Sequence, residues 1–188
     1  MVHRIFLLGP QGCGKGTQAA ILSERLKIPQ FSMGQLLRDA AVGTDNLAER
    51  IRVIQSKGEL VPGNIVAEVL RARLHMPDCA NGYILDGFPR NQDQYDSYAE
   101  HDKPTAVIVI EVPREVSIER IAHRSRTEHR TDDTPDAIRR RLEIYDQDTE
   151  PMINHYRSQG LVREVDGVGI VEEVADRIYG VCTAQGGC

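Results

Sequence analysis

Apolar residues along this chain fall into two patterns. Short unbroken runs, Ile5-Phe6-Leu7-Leu8, Tyr83-Ile84-Leu85 and Ala106-Val107-Ile108-Val109-Ile110, have the character of strands buried on both faces of a parallel sheet. Leu161-Val162-Arg163-Glu164-Val165 reads as a further strand, and Gln30-Phe31-Ser32 as a short apolar-flanked segment. Between the runs, apolar residues recur at helical spacing. Ala19, Ile21, Leu22 and Leu26 give one such side up to a limit at Pro29, Leu36 and Leu37 another after a cap at Ser32, and Leu47, Ile51 and Ile54 a third that closes at Gly58. Ile65, Val66, Val69, Leu70 and Leu74 predict a longer helix that ends before Pro77, and a helix after Pro113 carries Val116 and Ile121. Thr134-Pro135-Asp136 is a helix start for Ile138, Leu142 and Tyr145; Pro151 opens or kinks the next helical stretch, Gly160 ends it, and a last helix holds Val171, Val174, Ala175 and Ile178.

Two stretches depart from this rhythm. Residues 32–61 form a small helical excursion before the strand at 83, and residues 124–133 have almost no apolar side chain, which predicts a mobile flap. The tail 183–188, small and glycine-rich, is expected to fray.

Composition narrows the class. A chain of 188 residues is one domain of ordinary size, able to bury about 70% of its unfolded surface. Its 40% apolar and 27% charged residues describe a soluble protein, with no run near the roughly 18 apolar residues of a membrane span. Met1-Val2-His3-Arg4 leads straight into the first strand, leaving no room for a signal peptide, so a cytoplasmic location is expected. Cysteines at 13, 79, 182 and 188 have no zinc-site spacing and are expected as thiols. The net charge of -5 argues against a general nucleic-acid or anionic-membrane binder. Within that acidic total, 19 of the 23 cations are arginines, and eight of those lie between Arg114 and Arg141. Arginine's planar fork suits phosphate oxygens, so the concentration suggests a small polyanionic ligand, although a solvated helix face accounts for part of it.

The candidate chemistry begins at Gly9-Pro10-Gln11-Gly12-Cys13-Gly14-Lys15-Gly16-Thr17, between an apolar strand and an amphipathic helix. Alternate glycines let bare N–H groups approach an anion, the helix N-terminus adds favourable partial charge, and Lys15 supplies a mobile point charge to the outer phosphates. Gly16 stands where a phosphate loop has its hydroxyl, and Thr17 follows one residue later. At the end of the strand at 83–85, Asp86 can hold the water shell of Mg²⁺ and Arg90 can take a phosphate, unless the two are merely a loop ion pair. Cys13, beside Lys15 at a helix N-terminus, reads first as a small residue fitting the loop and second as a thiolate whose modification blocks binding. His123 and His129 read as solvated flap residues, with no third ligand at useful spacing.

Taken in order, the pieces Gly12-x-Gly14-Lys15-Gly16-Thr17-Gln18, Ser32-x-Gly34-x-Leu36-Leu37-Arg38, Asp86-Gly87-Phe88-Pro89-Arg90 and Arg130-x-Asp132-Asp133 resemble the adenylate kinases, within the nucleoside monophosphate kinases. The resemblance runs from about residue 3 to 180 and implies an α/β fold of the P-loop NTPase type: a five-stranded parallel sheet sandwiched by helices. It implies one domain with its core at 1–31, 62–122 and 134–188, an NMP-binding excursion at 32–61 and a short lid at 123–133. The implied reaction is reversible transfer from Mg-ATP to AMP, giving two ADP, by a monomer that takes neither nucleic acid nor membrane as partner.

Carried over residue by residue, the resemblance puts the ATP phosphates on Gly12, Cys13, Gly14, Lys15, Gly16 and Thr17, with Arg120 against the adenine, Arg124 on phosphate and Gly169 offering backbone to the base. The monophosphate meets Arg38, Arg90 and Gln94, and Met33, Glu59, Leu60, Val61, Gly87, Phe88 and Pro89 line or support its pocket. Arg130 and Arg141 bind phosphate as the lid closes, Asp132 and Asp133 belong to the lid's own hydrogen bonding, Asp86 holds the metal through water, and Thr17 is a further candidate for it. The catalytic set is thus Lys15, Arg38, Arg90, Arg124, Arg130 and Arg141.

Met33 stands where the family has Thr, Gln35 where it has Asp, and Gln11 where it has Pro. Asn91-Gln92-Asp93 resembles UMP/CMP kinases, while the Gln94 amide can both donate to and accept from an adenine edge and so favours AMP. A UMP/CMP kinase and a non-catalytic nucleotide-binding module therefore stand as the other readings, the second opposed by so many converging cations.

Overall fold

The computed structural model describes residues 2–98, 103–128 and 134–184, with 125–128 described by backbone alone. Five strands, β1 (His3–Leu8), β2 (Gln30–Ser32), β3 (Gly82–Asp86), β4 (Ala106–Glu111) and β5 (Val162–Asp166), form one sheet in the order β2-β3-β1-β4-β5, every neighbouring pair parallel. Unbroken apolar runs are required because both faces are covered. Phe6 and Leu8 point into a core with Phe31, Leu85, Val107 and Val109, whereas Ile5 and Leu7 point the other way, to Ile84, Ile108 and Ile110.

Helix α1 (Lys15–Leu26) and α9 (Val171–Thr183) cover the second face with Ala19, Leu22, Val174 and Ile178. The first face is covered by α2 (Met33–Ala40), α3 (Asn46–Ser56), α4 (Gly63–Leu74) and α8 (Glu150–Ser158), through Leu37, Ile51, Val66, Leu70 and Met152. The short helix α5 (Gln92–Asp96), α6 (Arg114–Glu128) and α7 (Pro135–Ile144) complete the chain. Among the described residues, no helix is long and apolar enough to cross a membrane.

Register sets the site. Leu7 pairs with Asp86 and Ser32 pairs with Asp86, so the loop after β1, the acid after β3 and the start of α2 meet at one C-terminal edge of the sheet. This is where the chain, having gone from β1 to one side, crosses to the other, and such edges hold ligands in open parallel sheets.

Several details differ from the sequence reading. The polar stretch expected to be a flap from 124 begins as helix, because α6 runs to Glu128. No Gly or Pro interrupts it, and Arg, Ser and Glu are compatible with a helix. Residues 129–133, including His129, Arg130, Asp132 and Asp133, lie outside the described residues, as do 185–188 with Cys188. Thr183 still belongs to α9, so the tail begins later than expected. Ser32 occupies the N-cap of α2 without a side-chain cap bond, whereas Thr134 does cap α7, accepting from the Ala137 N–H at 3.2 Å. Pro151 sits in the first turn of α8, as expected, but no loop precedes it: α7 passes into α8 through a π turn at Tyr145–Thr149.

The excursion is fastened to α7. Gly58 has φ +73, and a Cβ there would stand 2.5 Å from the Ala137 carbonyl oxygen, so only glycine allows the two backbones this close. Asp93 accepts from the Gly63 N–H at 2.7 Å, placing a carboxylate on the N-terminus of α4. Gly58→Ala is expected to lower stability by about 1–3 kcal/mol through left-handed strain and collision with α7, read as a reduced urea midpoint with unchanged slope. An unchanged midpoint would show that the contact carries no weight.

Candidate active site

The loop between β1 and α1 is shaped by main-chain constraints. Gly12 has φ +87, and its missing Cβ would lie 2.5 Å from the Ser117 carbonyl oxygen, so any side chain would push the loop off α6. Gly14 takes the N-cap of α1 without a side-chain cap bond, leaving the first N–H groups of the helix to a ligand. Lys15 folds back over the loop, donating from Nζ to the Gly9 and Pro10 carbonyl oxygens at 2.8 Å each and reaching Cys13 Sγ at 3.5 Å. The Cys13 side chain is 1% exposed and packs beneath the loop with Ile5, Leu7 and Ile110.

A cleft of about 770 Å³ runs from this loop across the sheet edge to the excursion. Its walls bring together Gly12, Gly14, Lys15, Gly16 and Thr17 on one side with Met33, Arg38, Glu59, Leu60, Val61, Gly87, Arg90 and Gln94 on the other. Arg120 and Arg124 from α6 and Arg141 from α7 close the ring, and Asp86 lies at its floor. Six cations, Lys15, Arg38, Arg90, Arg120, Arg124 and Arg141, thus face three carboxylates, Asp39, Glu59 and Asp86, in a chain whose total charge is -5. Such a cavity suits a ligand with several negative charges.

Main-chain oxygens orient most of these cations. Arg120 donates to the Cys13 carbonyl at 3.3 Å and the Gly167 carbonyl at 3.1 Å, tying the loop to the segment before α9. Arg90 donates from Nε to the Gly87 carbonyl at 2.9 Å, and Arg141 donates to the Gln55 carbonyl at 3.4 Å. Arg38 is held within α2, where Gln35 Oε1 accepts from its Nη2 at 2.6 Å and its Nε at 3.2 Å while Gln35 Nε2 donates to Asp39 at 2.7 Å. Asp86 is 7% exposed, its Oδ1 has no hydrogen-bond partner among the described residues, and Oδ2 lies 3.8 Å from where a Gly16 Cβ would be. A buried, unpartnered carboxylate oxygen beside a phosphate loop fits a hydrated divalent cation, with the Thr17 hydroxyl on the same wall.

Gln94 is 3% exposed and already engaged: Oε1 accepts from the Arg90 N–H at 2.9 Å and Nε2 donates to the Val61 carbonyl at 3.2 Å. That leaves the amide one further N–H and one further lone pair for a base edge. Met33, 3% exposed, joins the apolar core under the excursion and presents no hydroxyl.

Four expected site residues do not line the cleft. Phe88 is 1% exposed, stacked edge-on against Phe6 and Tyr98, and with Pro89 borders a separate cavity of about 120 Å³, so both support Gly87 and Arg90 from behind. Gly169 lies against Glu173 at the start of α9, and Cys13 is buried below the loop. Glu59 lines the cleft, but its carboxylate turns to Arg140, with bonds of 3.0 and 3.3 Å. Arg130 lies outside the described residues. The cleft also contains residues the motifs did not point to, among them Gln55, Tyr145 and Thr149. Burial raises the pKa of the Tyr145 hydroxyl, with nearby Glu150 adding to the shift, so it stays protonated. The signal for this part of the wall is a five-residue step between buried Ile144 and buried Thr149, too long for an α-turn.

The chain is similar in sequence to known proteins of one description. The family profile described as Adenylate kinase matches residues 7–161. An adenylate kinase of Xylella fastidiosa (strain M12) is 44% identical over 180 residues, covering 93% of this chain and 96% of the relative. That of Bifidobacterium longum (strain NCC 2705) is 41% identical over 93% of this chain and 97% of its own length, and that of Stenotrophomonas maltophilia (strain K279a) is 41% identical over 96% and 100%.

Packing under the loop, rather than reactivity, should define Cys13. Cys13→Ala is expected to cost about 1 kcal/mol of stability and to leave ATP affinity within about threefold by calorimetric titration. Loss of ATP binding with stability retained would give the thiol a role at the phosphates.

Proposed function

The chain belongs to the adenylate kinase family and catalyses phosphoryl transfer between ATP and AMP, and from that premise we propose how its cleft does so. The observation that carries the proposal is the meeting of a phosphate loop, a buried unpartnered carboxylate and six cations in one cleft. ATP lies with its phosphates on residues 12–17 and Arg124 and its base towards Arg120, while AMP puts its phosphate on Arg38, Arg90 and Arg141 and its base against Gln94, Met33 and the backbone of 59–61.

The accepting phosphate oxygen is already an anion at neutral pH, so no side chain has to remove a proton. The obstacle is bringing two anions together. Lys15 leaves the Gly9 and Pro10 carbonyls for the outer phosphates of ATP, exchanging neutral partners for charged ones. The arginines offset the repulsion and stabilise charge that spreads over the transferred group; single arginines are worth about 10³–10⁵ in rate in related sites. Alignment of the two nucleotides contributes up to about 7–11 kcal/mol more. Bound Mg²⁺ would neutralise phosphate charge, and Asp86 Oδ1, through water, and Thr17 are the groups suited to hold it. Closure of a lid at 123–133 with Arg130 keeps water, the competing acceptor, away. The setting we propose is a monomer in a reducing cytoplasm, where the buried Cys13 and Cys79 stay as thiols.

The spare N–H and lone pair of Gln94 match the amino group and ring nitrogen of adenine, which favours AMP over the pyrimidine nucleotides. In steady-state assays with ATP as donor, AMP should exceed CMP and UMP in kcat/KM by about 10² or more, and Lys15→Ala should lower kcat about 10³-fold. CMP or UMP matching AMP would reverse the base assignment, and an unimpaired Lys15→Ala would remove Lys15 from the phosphates.

A further inference from the structure

The π turn between α7 and α8 delivers a buried hydroxyl to the back of the monophosphate side of the cleft. The Glu150 N–H donates to the Tyr145 carbonyl five residues back, so the turn holds one residue more than an α-turn. One extra residue rotates everything after it by about 100° around the helix axis. That rotation brings Thr149, 4% exposed, inward, where its Oγ1 donates to the Arg90 carbonyl oxygen at 2.7 Å. Arg90 is then fixed at both main-chain polar groups: Gln94 Oε1 accepts its N–H at 2.9 Å, and Thr149, 59 residues further along the chain, donates to its carbonyl. The guanidinium leaves this clamped backbone with Nε on the Gly87 carbonyl at 2.9 Å, aimed into the cleft.

We propose that Thr149 is a positioning residue for phosphoryl transfer, its hydroxyl holding the main chain of Arg90 so that the guanidinium is set for the phosphate of the acceptor nucleotide. The inference rests on the assignment of Arg90 to that phosphate. A hydroxyl is needed as well as bulk: valine has the shape of threonine, fills the same space, and offers the carbonyl no donor. It also accounts for a π turn at the cleft wall, since a regular α-turn would send residue 149 elsewhere. Pro151, which has no N–H to give to the widened turn, follows two residues later.

The test is initial-rate kinetics of Thr149→Val, Thr149→Ser, Arg90→Ala and the Thr149→Val/Arg90→Ala double variant, with thermal midpoints for each. Thr149→Val is expected to raise KM for AMP about tenfold with KM for ATP within twofold, and Thr149→Ser, which keeps the hydroxyl, to restore KM for AMP to within about threefold of the parent. On the Arg90→Ala background the valine should add little, because its effect passes through Arg90. If Thr149→Val does not fold, Thr149→Ala takes its place in the same comparison. Equal rises in both KM values, a full-sized valine effect without Arg90, or no effect at all would each overturn the role of Thr149. Parent-like KM for AMP in Arg90→Ala would instead overturn the assignment of Arg90 and, with it, the inference; a raised KM there beside an unaffected Thr149→Val would sink the inference alone.

Discussion

The convergence of six cations on one cleft is the constraint around which this molecule is built. Six such groups face one cavity before any anion arrives. They are held there by the framework. Lys15, Arg90, Arg120 and Arg141 each donate to main-chain carbonyls, which orient them. Those carbonyls belong to loops fixed by the parallel sheet, and the sheet needs its two apolar faces to stay buried. A cavity with that charge suits a ligand carrying several phosphates.

The departures from the family pattern fit this view. A carboxylate at position 35 would lie beside Arg38 and cancel part of its charge, whereas the Gln35 amide accepts two of its N–H groups and leaves the charge intact. Asp39 is kept in place on the other end of the same amide. Met33 joins the apolar core under the excursion and presents no hydroxyl to the cleft, whereas the buried Gln94 amide is held on the Val61 carbonyl.

Much of this was legible in the sequence, for physical reasons. The runs at 5–8, 83–85 and 106–110 are apolar throughout because both faces are covered, and in the loop Gly12 is required because a Cβ there would strike α6. The motifs also pointed to Lys15, Arg38, Arg90, Arg120, Arg124 and Arg141, which line one cleft, while Arg130 lies outside the described residues. What escaped was direction. Composition cannot tell that Glu59 turns to Arg140, that Phe88 and Pro89 support the cleft from behind, or that Gly169 faces Glu173. Low apolar content at 124–128 suggested a flap, although helix needs no apolar face to persist for five residues. The π turn was hidden because a proline at 151 reads as a break, while the chain continues through it with a change of phase.

The central claim is that one cleft holds both nucleotides at once and passes the phosphoryl group directly between them, with no covalent stop on the protein. Initial rates measured over a grid of ATP and AMP concentrations test this most directly. Reciprocal plots that intersect are the result the arrangement requires, whereas parallel lines, the mark of a phosphorylated enzyme formed before AMP binds, would contradict it.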